Sequence, residues 1–89
     1  MSEIFLGDYN DPKHSGCLRK ITMENDIMFV IGSDNEDSSN EWKLEAKQDT
    51  SGGILVDFSK KSGPKDLLGI YEHDNGGIRW SDDNLWKKL

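Results

Sequence analysis

Hydrophobic and polar residues alternate along this chain with a period of two. In residues 41–47, Trp42, Leu44 and Ala46 fall on one side, and Glu41, Lys43, Glu45 and Lys47 on the other. Successive side chains leave a strand on opposite faces, so this alternation predicts a half-buried β-strand. Similar runs predict seven more strands, at 3–9, 17–23, 27–31, 53–59, 67–72, 77–80 and 85–89. In the third of the eight, Ile27, Phe29 and Ile31 are expected inward. No stretch carries the 3.6-residue apolar period of an amphipathic helix.

The breaks between these runs are rich in turn residues. Pro12 fixes φ within Asn10–Gly16, Glu24-Asn25-Asp26 reads as a tight hairpin, and Asn75-Gly76 suits a type I′ turn. Eight short strands with short connections predict an all-β fold, a small antiparallel up-and-down β-barrel, because closure removes exposed strand edges. A two-sheet β-sandwich uses the same strands and is the alternative. The expected interior is Phe5, Tyr9, Ile21, Met23, Phe29, Ile31, Trp42, Leu44, Ile54, Val56, Phe58, Leu67, Tyr71, Ile78, Trp80 and Trp86. Gly7 on the first strand and Trp86 on the last suggest where the ends meet, with a ring lying across the glycine. That device resembles the Gly-x-Trp packing of lipocalin- and avidin-like barrels.

Composition narrows the function classes. The 89 residues suit one domain, residues 1–89, and the net charge of −6 argues against nucleic acid or an anionic membrane as partner. The single cysteine, Cys17, excludes an intrachain disulfide. There is neither a basic segment followed by an apolar run, as in a signal peptide, nor an apolar stretch of about 20 residues. A cytoplasmic protein is therefore expected.

Candidate chemistry is sparse. His14 and Cys17 lie at H-x-x-C spacing near Asp8 and Asp11. A metal needs three or four convergent ligands, so the plain reading is a turn in which His14 caps and Cys17 packs. A cysteine–histidine nucleophile pair is the sharper alternative. Residues 33–40 form an acidic loop without the calcium-loop glycine. Lys60, Lys61 and Lys65 flank Ser62-Gly63-Pro64, a basic anomaly in an acidic chain. No P-loop spacing is present, so this is a rigid corner or a docking surface. Asp57 and Asp66 are placed to pair with these lysines or with Arg19. Tyr71, Trp80 and Trp86 read as core, or as a recognition surface if exposed.

Three stretches carry a resemblance: Asp11-Pro12-Lys13-His14-Ser15-Gly16-Cys17 with Arg19; Val56–Lys60 with Gly63–Leu67; and Ile78–Trp80 with Asp83–Lys88. They resemble a group of small single-domain β proteins of algae and other protists, marked by D-P-x-H-P-G-C, VDFSPKGGPKDL and W-x-D-G-N-x-W patterns. The resemblance implies the β fold and points at two loops, and it implies no activity. Ser15, Lys61, Ser62 and Asp83 depart from it, which predicts altered turns or relaxed function.

Taken together, the residues predict a non-enzymatic protein-interaction module or accessory subunit, with a protein partner and no cofactor or metal. A small-ligand-binding mini-barrel is the alternative. A small hydrolase or isomerase using His14, Cys17 and Asp57 ranks last. The expected binding residues are His14, Arg19, Asp57, Lys60, Lys61, Lys65 and Asp66.

Overall fold

In the computed structural model, which describes residues 2–34, 41–59 and 63–89, eight antiparallel strands close into a barrel. They are β1 (Gly7–Asn10), β2 (Arg19–Glu24), β3 (Ile27–Ser33), β4 (Glu41–Gln48), β5 (Ile54–Val56), β6 (Leu67–Glu72), β7 (Gly77–Trp80) and β8 (Leu85–Lys88). Each strand pairs with its neighbour in sequence, and β1 pairs with β8 through Tyr9↔Lys88 and Asn10↔Lys87. The up-and-down barrel, rather than the sandwich, is the fold. None of the described helices is long and apolar enough to cross a membrane.

The interior holds Tyr9, Ile21, Met28, Val30, Leu44, Ala46, Ile54, Val56, Phe58, Ile78, Trp80 and Trp86. Strands β4 to β8 bury the faces that their alternation predicts. Strand β3 is turned over. Met28 and Val30 are buried, whereas Ile27 is exposed and Phe29 and Ile31 are only half-buried. The cause is the preceding hairpin. Asn25 and Asp26 both take positive φ, at 52° and 66°, in a two-residue turn that pairs Glu24 with Ile27 and Ile21 with Val30. Directly paired residues share a face, so a buried Ile21 draws Val30 inward. Met23, expected inside, lies at the rim beside the β2–β3 hairpin and is exposed.

The expected strand at Glu3–Tyr9 is also corrected. Ser2–Phe5 is a 3₁₀ turn, and Gly7, at φ 140°, redirects the chain into β1. Ile4, Phe5 and Leu6 are consecutive apolar residues, not an alternating set, and they fold across the barrel end. Phe5 is 1% exposed and meets Tyr71 edge-on, and its carbonyl accepts a hydrogen bond from Tyr9 Oη at 2.7 Å. This plug closes the end that carries the β2–β3, β4–β5 and β6–β7 connections.

Gly7 seats no ring. A side chain there would meet Lys88, at 2.7 Å from its Cε. The rings instead lie over Gly32, covered by Trp42, and Gly69, covered by Trp80. These glycines admit large rings into a narrow barrel, which is why it fills with few residues.

Candidate functional site

The opposite end is not plugged. The β1–β2, β5–β6 and β7–β8 connections surround a cavity of about 310 Å³. Phe58, Trp80 and Trp86 reach it from the interior, Trp42 walls one side, and Asp11, His14, Arg19 and Asn84 supply polar groups.

Asp11 organises this mouth, and local sequence explains how. It N-caps the short 3₁₀ turn Pro12–His14, with Pro at the first helical position and the Lys13 amide donating to Oδ1 at 2.9 Å. The turn brings His14 back to the same carboxylate, with Nδ1 3.1 Å from Oδ2. Arg19, at the start of β2 and in phase with buried Ile21, points inside. Its Nε donates to Asp11 Oδ2 at 3.2 Å. From the β7–β8 turn, Asn84 Nδ2 donates to Oδ1 at 2.9 Å. Thus three separate pieces of chain converge on one buried carboxylate. Burial pushes the Asp11 carboxyl up, but hydrogen bonds from Asn84, Lys13 and His14, with the Arg19 charge, outweigh it and hold the group below the usual carboxylate range.

Arg19 is the other half of the hub. Its side chain is only 1% exposed, yet it is charged. Nη1 donates to the carbonyls of Leu18 at 2.8 Å and Ser33 at 2.7 Å, and Nη2 lies 3.6 Å from Asp34 Oδ1. The guanidinium also sits over two indoles, 5.2 Å from the Trp42 centroid and 5.6 Å from that of Trp86. Cation–π contact offsets part of the desolvation cost that would otherwise exclude a buried arginine.

The remaining walls are built by turn chemistry. In the β7–β8 turn, Asp82 Oδ1 accepts from the Asn84 amide at 3.1 Å, and Asp83 takes φ 74°. Lys13 Nζ and Asp82 Oδ2, 3.9 Å apart, bridge two of the loops. In the β5–β6 connection, the Phe58 amide donates to the Pro64 carbonyl at 2.9 Å, and the Gly63 amide to the Phe58 carbonyl at 2.8 Å. Gly63 lies so close that a Cβ there would be 2.8 Å from Phe58 Cβ. Gly63-Pro64 is therefore a wall packed on the backbone and Cβ of Phe58.

Among the expected binding residues, His14 and Arg19 meet in the cavity. Arg19 pairs with Asp11 and Asp34, whereas Asp57 and Asp66 were expected to pair with the neighbouring lysines or with Arg19. Asp57 is half-buried and caps the Ser59 amide, and Lys65 and Asp66 are exposed on the β5–β6 connection. Lys60 and Lys61 lie outside the described residues, as does most of the acidic loop, residues 35–40. Cys17 is half-buried, and its amide donates to the His14 carbonyl at 3.0 Å. Among the described residues, no group of three His, Cys, Asp or Glu side chains is placed to hold a metal ion. Asp11 and Asn84 were not singled out as binding residues. Their signal lay in the D-P-x-H and W-x-D-x-N-x-W patterns, which fall on facing walls of one mouth. Comparison with protein-family models, curated proteins and solved structures returns no match.

Proposed function

We propose that this protein is a non-enzymatic binding module whose site is the open mouth of the barrel, with room for a small ligand. The observation that carries this reading is the 310 Å³ cavity, walled by aromatic rings and by the Asp11–Arg19 hub. Small-molecule sites typically combine an apolar lining with a few fixed polar groups, as this one does. A binding role suits Asp11 better than proton transfer does, because both of its oxygens are committed to donors. Among the described residues no hydroxyl or thiol is hydrogen-bonded to His14, so no activated nucleophile supports a hydrolase.

Amide and indole NMR spectra of the full chain, recorded with a set of small ring compounds, test the reading. Ligands should shift Trp80, Trp86, His14 and Asn84 and spare the hairpins at Asn25-Asp26 and Asn75-Gly76. A set with no localised response at the mouth would remove the proposal.

A second reading, docking of a protein partner, is favoured by the exposure of Lys65 and Asp66 beside this mouth. Affinity capture from the native source should then recover a partner that Lys65→Glu releases.

A further inference from the structure

We infer that the mouth takes a neutral, oxygen-rich ring of pyranose size, a single saccharide unit being the plainest case. The inference rests on the mouth being a ligand site and adds the chemistry of the ligand.

Charge excludes the alternatives. Aromatic walls commonly receive cations, but Trp42 and Trp86 already hold one, the Arg19 guanidinium. A cationic ligand would meet that like charge in a poorly solvated space. An anionic ligand fares no better. Asp11 and Asp34 already flank the guanidinium at 3.2 and 3.6 Å, and Asp82 faces Lys13 at 3.9 Å. Three carboxylates against two permanent cations leave no positive excess among these groups, and the chain carries −6 overall.

Hydrogen-bonding capacity points the same way. Trp80 Nε1–H is buried and finds no acceptor among the described residues. The Cε3–Cζ3 edge of that indole lies on Gly69, so Nε1 is on the edge turned away from it. Among the described residues, Arg19 Nη2 has the long contact to Asp34 and makes no hydrogen bond. These groups favour lone pairs. Asn84 commits its Nδ2 to Asp11, which leaves Oδ1 to accept from a hydroxyl. Hydroxyl and ring oxygens satisfy both needs without adding charge. A volume of about 310 Å³ is at the small end for ligand sites, suiting one ring and not a chain.

The experiment holds the ring constant and varies its charge. Methyl glucoside, methyl galactoside, methyl mannoside, glucosamine and glucuronate are titrated against the full chain by NMR. At least one neutral pyranoside should shift Trp80, Trp86 and Asn84 at a concentration about tenfold below that required by either charged sugar. Trp80→Phe, which keeps a ring but removes the N–H, should weaken that binding about tenfold. Tighter binding of glucosamine or glucuronate would overturn the inference. Unchanged affinity in a folded Trp80→Phe would overturn it too; should that variant misfold, the charge series on the natural chain decides. Apolar rings shifting the mouth while all five sugars leave it untouched would sink the saccharide inference and leave the ligand site standing. Silence of the mouth toward every compound would sink both.

Discussion

The two ends of the barrel solve the same problem with opposite materials. At the closed end, Phe5 folds under the strands and fills the opening with hydrocarbon, with Tyr9 Oη donating to the Phe5 carbonyl and Lys88 Nζ to the Ile4 carbonyl beside it. At the mouth, the buried side chains include a guanidinium and a carboxylate, bonded to each other, to the end of β3 and to the β7–β8 turn. Hydrocarbon packing needs only shape. A buried ion pair needs nearly every donor and acceptor satisfied, and its replacement by apolar residues is often neutral or stabilising. Stability alone therefore gives little reason to build the mouth as it is built, whereas recognition gives a direct one.

Substitutions at the two ends should separate these roles. The largest loss is expected from Asp11→Ala, which strands Arg19 as a buried charge and should cost about 3–5 kcal/mol in urea unfolding. A loss below about 1 kcal/mol would show that the hub is solvated and not structural. Phe5→Ala should cost about 3 kcal/mol by opening a cavity at the other end. The signals of Trp80, Trp86 and Asn84 should stay in place; their movement would mean that the ends are not independent.

Acid and alkali should attack different ends. The Asp11 carboxyl lies below its unfolded value, so its contribution is complete above about pH 4 and drains away as pH falls through the folded value. Burial raises the Tyr9 phenol well above its usual value, so that contribution is complete below about pH 10 and is lost as pH rises toward the folded value. Melting temperature against pH should show a shallower acid limb in Asp11→Asn and a shallower alkaline limb in Tyr9→Phe. Tyr9→Phe should itself cost about 1 kcal/mol at neutral pH by orphaning the Phe5 carbonyl. The smallest effect runs the other way. Asp83 holds φ 74° with a side chain 96% exposed, so Asp83→Gly should stabilise the mouth by about 0.5–1 kcal/mol. A drop in melting temperature would show that its 3.8 Å contact with Arg79 outweighs the strain.

What was legible in the sequence differs between the same two regions. The barrel could be read because alternation encodes a face directly, and Trp42, Leu44 and Ala46 needed no other information. Strand β3 was misread because Ile27, Phe29 and Ile31 alternate as well as Met28, Val30 and Gly32 do. Only the two-residue geometry of Asn25-Asp26 decides between them. The plug was misread because a 3₁₀ turn of Ile4 and Phe5 has no pattern of its own. At the mouth, Arg19 shares its phase with Ile21, but it was left out of the expected interior because a charge there runs against the usual cost of burial. Asp11 and Asn84 are 73 positions apart, and no local pattern links them.

That separation bears on how the chain closes. Seven of the eight ladders join strands that follow each other, and only β1–β8 joins distant parts of the chain. Local hairpins form quickly, and a pairing across the whole sequence pays its loop-closure entropy late. The seam offers only two ladder positions, Tyr9↔Lys88 and Asn10↔Lys87. The Asn84–Asp11 hydrogen bond crosses this seam at one end, and Lys88 Nζ to the Ile4 carbonyl, at 2.9 Å, crosses it at the other. Asp11 is thus a clasp for the last ladder as well as the centre of the mouth. Amides along β1 and β8 should exchange with solvent before those of β3 and β4, and a ligand seated against Asn84 should slow them, so that occupancy of the mouth is read out as the lifetime of the closed ring.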